Sequence, residues 1–238
     1  LHGLPVAVKD LSDVAGIRTT MGSPIFRENV AAADGLMAAR MRTAGAILIG
    51  KTNTPEFGLG SQTYNTVFGA TRNAWDPDLC AGGSSGGAAV ALALRMLPVA
   101  DGSDMGGSLR NPAAYANVYG FRPSQGRVPK YPAPERFFQQ LGTEGPMGRT
   151  VTDVARLLAV QAGRDPRVPL SLDGAFDPVT PRIRVDEHDE VELETLRELG
   201  CQRAHARHPG EARVADDARG ALRVLGEPVR EDAVAFRE

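Results

Sequence analysis

Cysteine is nearly absent from this 238-residue sequence, and what little there is rules out two common ways of building a small domain. Cys80 and Cys201 lie far apart and neither has a second Cys near it, so neither a disulfide framework nor a zinc site is expected. A reducing, cytoplasmic setting fits that usage. Charge of one sign is also missing: 27 basic and 29 acidic residues leave a formal net charge of -2, which gives no electrostatic footprint for nucleic acid. Long apolar runs are lacking too. The longest, Ala88 to Ala100, is interrupted by Arg95 and Pro98 and is too short to span a bilayer as a helix. The N-terminal LHGLPVAVKD carries no initiator Met and no basic leader, and it already reads as a core strand, so the chain is expected to start mid-protein. Histidine, the usual base beside a serine nucleophile, is scarce: His188, His205 and His208 sit in a poorly patterned tail, and only His2 is near a strong motif.

What is present is apolar material for a core, 42% of the chain, in a βαβ rhythm. Residues 4–9 read as a strand, 33–44 as an amphipathic helix and 46–49 as a buried strand. Residues 87–97 read as a helix apolar on nearly all sides, and 151–162 as an amphipathic helix capped by Thr150. Strands too apolar to alternate argue for an α/β sheet covered by helices. Residues 58–87 and 98–148 are dominated by Gly, Pro and polar residues and show no period. Beyond about residue 166 the prolines of a linker appear, followed by a strand at 181–185, a helix at 189–199 and a weakly periodic tail.

Three features then carry chemistry: an isolated lysine in the first apolar strand, GGSSGG at 82–87 and GSDMGGSLRNPA at 102–113. Glycines around a serine let backbone N–H groups converge, as stabilising an oxyanion requires; Met105, Gly106, Gly107 and Ser108 are the candidate donors. Taken alone, the stretch would be an ordinary tight turn. Lys9 is the candidate base. An unperturbed lysine is neutral about one time in a thousand at pH 7, which would cost roughly 4 kcal/mol, so burial among Val6, Ala7 and Val8 must make up the difference. Taken alone, Lys9 would be a surface lysine at a strand end. A decoy also occurs: GAILIGKT at 45–52 fits the phosphate-loop pattern, but its four intervening residues are themselves a strand, so Lys51 is assigned to packing or pairing.

Together these strings resemble the signature of the amidase signature family. GGSSGG, an apolar helix and then GSDMGGSLRNPA follow that family's pattern, with LHGLPVAVKD similar to the strand bearing its catalytic lysine. Ser84 follows Lys9 by 75 positions and Ser108 follows Ser84 by 24, as in the family. AGAILIGKTNTPEF, FGATRNAWD, YGFRPSQGRVP and GTEGPMGRTVTDVA extend the likeness to about residue 172. The resemblance implies an α/β amidase-signature fold, a large twisted mixed sheet with helices on both faces. It places the catalytic core in 1–172 and a partial, poorly matched C-terminal region of the same domain in 173–238.

By the same resemblance, Ser108 is the nucleophile, Ser84 a bridging serine held by a cis peptide bond, and Lys9 the base acting through Ser84. Ser85, Asp104 and Arg110 support the loop; neither cofactor nor metal is implied. The expected partner is a small-molecule amide, with no nucleic acid and no membrane; a second copy of the chain, as a homodimer, is the one protein partner entertained. The reading is a stand-alone amidase for small or aromatic carboxylic amides, because YPAPERFFQQLGTEGP stands where amidotransferase subunits carry a YGLVAFASSLDQIGP-type run. The alternatives are a glutamine-hydrolysing subunit of an amidotransferase and an inactive binding protein.

Overall fold

Along β1 (Pro5–Lys9), Val6 and Val8 enter one apolar cluster while Ala7 enters another, so the strand lies between two packed layers. The computed structural model describes residues 1–133, 135, 137, 141–178 and 222–223. After β1 come α1 (Leu36–Thr43), β2 (Ile47–Thr52), the short β3 (Tyr64–Asn65) and β4 (Gly69–Ala70), and α2 (Gly86–Ala93). These are followed by β5 (Val99–Asp104), α3 (Arg110–Ala116), β6 (Tyr119–Gly120), β7 (Thr143–Gly148), α4 (Val151–Gln161) and β8 (Leu222–Arg223).

Strands β1 and β2 run parallel, as a βαβ crossover through α1 demands, and β8 pairs antiparallel with the end of β2. Strand β7 lies between β5 and β6, antiparallel to both. Where β1 meets β5 the contact runs through a side chain: the Lys9 main-chain N–H donates to Asp101 Oδ1 at 2.9 Å. Helices cover both faces. On one, α2 and α3 bring Ala88, Leu92 and Ala113 against Ala7, Ala100 and Met147; on the other, α1 and α4 bring Met37, Met41 and Leu157 against Val6, Val8 and Val99. Each large side chain buried in this way contributes about 1.5 to 3 kcal/mol of transfer free energy. The α/β class and helical cover read from the sequence are those observed.

The element boundaries differ in instructive ways. Helix α1 begins three residues later than the apolar period suggests, because the Asp34 carboxylate turns back to accept from Ala15 N and Arg42, and Gly35 serves as N-cap. Helix α2 is buried along its length as expected, but it stops at Ala93; Arg95 takes a left-handed φ of 59 before Pro98. Thr150 caps α4 by accepting from Asp153 N. Strands β5 and β7 are not foreshadowed by the pattern at all. Their sequences, VADGSD and TEGPMG, contain the residues that normally punctuate turns, yet β7 is buried at every position. The strand expected at 181–185 and the helix expected at 189–199 lie outside the described residues.

Candidate active site

The Lys9 side chain follows Ala7 on the α2 side of β1 and arrives under the start of α2 with only 1% of its surface exposed. An ammonium there must be hydrogen-bonded, and serine oxygens do this. Lys9 Nζ donates to Ser84 Oγ at 2.7 Å, to Ser85 Oγ at 2.8 Å and to Ser103 Oγ at 3.0 Å, with the Ser103 carbonyl at 3.4 Å. Burial pushes the lysine's pKa down to about 7, against the attraction of Asp101, Asp104 and Glu144 and with the help of Lys130. Neutral and charged forms are thus close to balanced at neutral pH, where a solvated lysine would be almost wholly charged.

Ser84 and Ser85 occupy the turn before α2, and the Gly83–Ser84 peptide is cis. Ser85 ties three segments together. Its hydroxyl accepts from Lys9 and from Ser103 N, and its N–H donates to the Ser108 carbonyl at 3.2 Å, which fixes the Ser108 loop against the start of α2. Strand β5 passes directly beneath this hydroxyl because residue 102 is glycine; a Cβ there would stand 2.8 Å from Ser85 Oγ.

Beyond β5 the chain turns sharply around Asp104, whose buried carboxylate accepts from Gly107 N at 2.7 Å and Leu109 N at 3.0 Å. Arg110 Nε reaches it at 3.0 Å and Arg122 at 2.8 Å, and Arg122 also holds the Asp104 carbonyl. Burial opposes ionisation of Asp104, but these donors together hold its carboxyl well below the usual carboxylate range. Gly107 sits at φ 118, a conformation L side chains rarely adopt, so the turn depends on glycine at that position. The Gly107 N–H expected as an oxyanion donor is therefore already directed at Asp104. Sequence pattern shows that glycines let amides converge but does not show on which acceptor.

Ser84, Ser103, Met105 and Ser108 share the wall of a cavity of about 360 Å³. Glu144 and Lys130 line it as well, and the remaining wall is largely apolar, including Phe57, Leu59, Val128, Leu141 and Leu170. Glu144 is buried, accepts from Ser12 Oγ at 2.9 Å and has its pKa raised by burial. Lys51 lies apart from this cavity. Its ammonium is buried behind β1, donates to the Ser12 carbonyl and to Thr19 Oγ1, and stands 3.9 Å from Asp10, a structural pairing and not a phosphate cradle.

The structure thus brings together Lys9, Ser84, Ser85, Asp104, Ser108 and Arg110 from segments that the motifs and the family resemblance had selected. Sequence reasoning missed Ser103, Asp101, Arg122 and Glu144. Ser103 lies inside the GSDMGGS string, and Arg122 and Glu144 within YGFRPSQGRVP and GTEGPMGRTVTDVA, where a reading of every polar position would have found them; Asp101 stands one position before the first string. Among the described residues no group of His, Cys, Asp and Glu is arranged to hold a metal ion, and no helix is long and apolar enough to cross a membrane.

The family model described as Amidase matches residues 1–226. The A-type subunit of the Thermus thermophilus glutamyl-tRNA(Gln) amidotransferase is 43% identical over 97% of this chain and 48% of its own. Among solved structures, a bacterial aryl acylamidase of the amidase signature family is similar with a TM-score of 0.71 and 42% identity, over 74% of this chain and 37% of its own. A peptide amidase from Stenotrophomonas maltophilia is similar with a TM-score of 0.67 and 36% identity, over 72% of this chain and 36% of its own. The chain spans less than half the length of these relatives.

Proposed function

Because this chain belongs to the Amidase family, we propose that it forms the catalytic core of an amidohydrolase in which Ser108 attacks a carboxylic amide and Lys9 acts as the base through Ser84. The observation that carries this reading is the contact of a buried lysine with Ser84 at 2.7 Å, with Ser84 and Ser108 on the wall of one cavity.

The proposed proton path runs from Ser108 through Ser84 to Lys9. As the Ser108 oxygen bonds to the carbonyl carbon, its proton passes to Ser84 while the Ser84 proton passes to Lys9 Nζ. The carbonyl π electrons move onto oxygen, where main-chain N–H groups of the 105–108 turn receive the charge. With the Gly107 N–H given to Asp104, that role falls to Met105, Gly106 and Ser108. On collapse, the carbon–nitrogen bond breaks and the nitrogen takes a proton from Ser84, which is resupplied by the Lys9 ammonium. An amide needs this second transfer, since an amine anion is a very poor leaving group. Water, activated by the same relay in reverse, then releases the acid and restores Ser108. Asp104, Arg110 and Ser85 hold the turn and take no part in bond making.

The apolar wall favours amides with an apolar or aromatic acyl or amine portion, and the stretch YPAPERFFQQLGTEGP supports a stand-alone amidase. The second reading, glutamine hydrolysis within an amidotransferase, is supported by 43% identity to the Thermus protein across nearly the whole chain. The test is a panel of amides, glutamine included, scored for released ammonia or amine with the full-length protein and with Ser108→Ala. Turnover and labelling by a serine-directed fluorophosphonate are both expected to vanish in Ser108→Ala. Labelling that persists would remove Ser108 from the mechanism, and turnover confined to glutamine would select the amidotransferase reading.

A further inference from the structure

Among the described residues Asp101 is the one carboxylate hydrogen-bonded to the candidate base, through the Lys9 main chain, and no step above uses it. It lies on β5, fully buried, with Oδ1 accepting the Lys9 main-chain N–H at 2.9 Å. That bond occupies the place where a main-chain ladder would otherwise join β1 to β5, so the Asp101 side chain decides where Lys9 enters the site. Its second oxygen, Oδ2, is buried and has no hydrogen-bond partner among the described residues. A buried carboxylate left half unsatisfied is poorly stabilised as an anion, whereas a carboxylic acid tolerates the same surroundings. The charged groups facing it are Lys9 from β1, Lys51 from β2 and Glu144 from β7. Lys9 in turn faces Asp101 and Asp104 from β5, Glu144 from β7 and Lys130 from the segment before β7, besides the hydroxyls of Ser84, Ser85 and Ser103.

We propose that Asp101 is a positioning residue for Lys9: it pins the lysine's main chain at the seam between β1 and β5, and the charge on its half-unpaired carboxyl sets the pH at which Lys9 becomes neutral. Burial drives the two groups toward each other from opposite directions, the lysine downward and the carboxyl upward. The reactive state has neutral Lys9. An anionic Asp101 favours the ammonium and delays that state to higher pH, while a neutral Asp101 releases it earlier. The inference rests on the Lys9 base proposed above.

The discriminating variant is Asp101→Asn, which keeps an oxygen for the Lys9 N–H and removes the charge. In the full-length protein, kcat/KM on a chromogenic amide and the rate of fluorophosphonate inactivation are followed against pH. The acidic limb is expected to move to lower pH by about half a unit or more, the size of a nearby unit charge at an intermediate effective dielectric. A lower kcat with the limb unmoved would make Asp101 merely structural and overturn the inference while leaving the Lys9 base intact. If a lysine-to-methionine change at position 9 left the limb in place, the base reading itself would fail instead. A reading on the unmodified protein does not depend on how the variant folds. Infrared titration should show a protonated-carboxyl C=O band that disappears with the midpoint of the kinetic limb, and a spectrum in which no such band follows the limb overturns the proposal.

Discussion

Replacing Lys9 with methionine isolates the base from its packing. Methionine has nearly the length of the lysine stem, so Lys9→Met keeps the apolar contacts made by a residue only 1% exposed and deletes the ammonium that reaches Ser84, Ser85 and Ser103. The energetic role of burial can be worked through. A lysine at its ordinary value would pay about 4 to 5 kcal/mol to act as a base at pH 7; with its pKa pushed down to about 7 that penalty nearly disappears. The sign is fixed by the chemistry: the base must be neutral, so the wild-type rate climbs as pH rises through about 7 and levels off above it. In Lys9→Met the limb has no group to titrate it. Loss of a positioned general base lowers kcat by about 10² to 10⁴ fold, with KM changed much less. The assay is initial rates on a chromogenic anilide from about pH 5 to about pH 10, with a thermal melt to verify folding. A limb that persists near 7 in Lys9→Met would show that another group supplies the base, and the relay would fall with it.

Two further outcomes follow from the same geometry. Ser84→Ala removes the nearer of two hydroxyls, Ser84 at 2.7 Å and Ser103 at 3.0 Å, that accept from Lys9 and line the cavity shared with Ser108, so kcat is expected to fall by about 10² fold or more while the acidic limb stays; a wild-type rate would dispose of the bridging role. Asp104→Asn leaves Arg110 and Arg122 without their buried anion; since both arginines keep some water, a loss of about 2 to 4 kcal/mol in denaturant unfolding is expected. Stability that does not change would mean the turn is held by its glycines alone.

The site was more legible than the sheet, for a physical reason that β5 and β7 make plain. A strand announces itself through alternating or β-branched side chains, but β5 must pass beneath Ser85 and turn into the Ser108 loop, so it carries Gly102 and two aspartates. Strand β7 is buried on all sides and spells TEGPMG. Close packing and the turn that follows β5 displaced the residues that pattern recognition relies on. Helices α1, α2 and α4 have no such duty, and their apolar faces could be read directly.

Local sequence therefore determined which atoms were available: a lysine in an apolar strand, serines in glycine-rich turns, an aspartate placed to accept amides from the turn that follows it. Tertiary structure decided what those atoms do to one another. The packing of α2 against β1 and β5 buries Lys9 and brings its pKa to about 7, and Asp104 claims the Gly107 amide that glycine content alone had offered to an oxyanion. The seam between β1 and β5 places Asp101 against Lys9, 92 positions apart in the chain. Desolvation and hydrogen-bond geometry arise only when distant segments close around a group, and no window of sequence contains them.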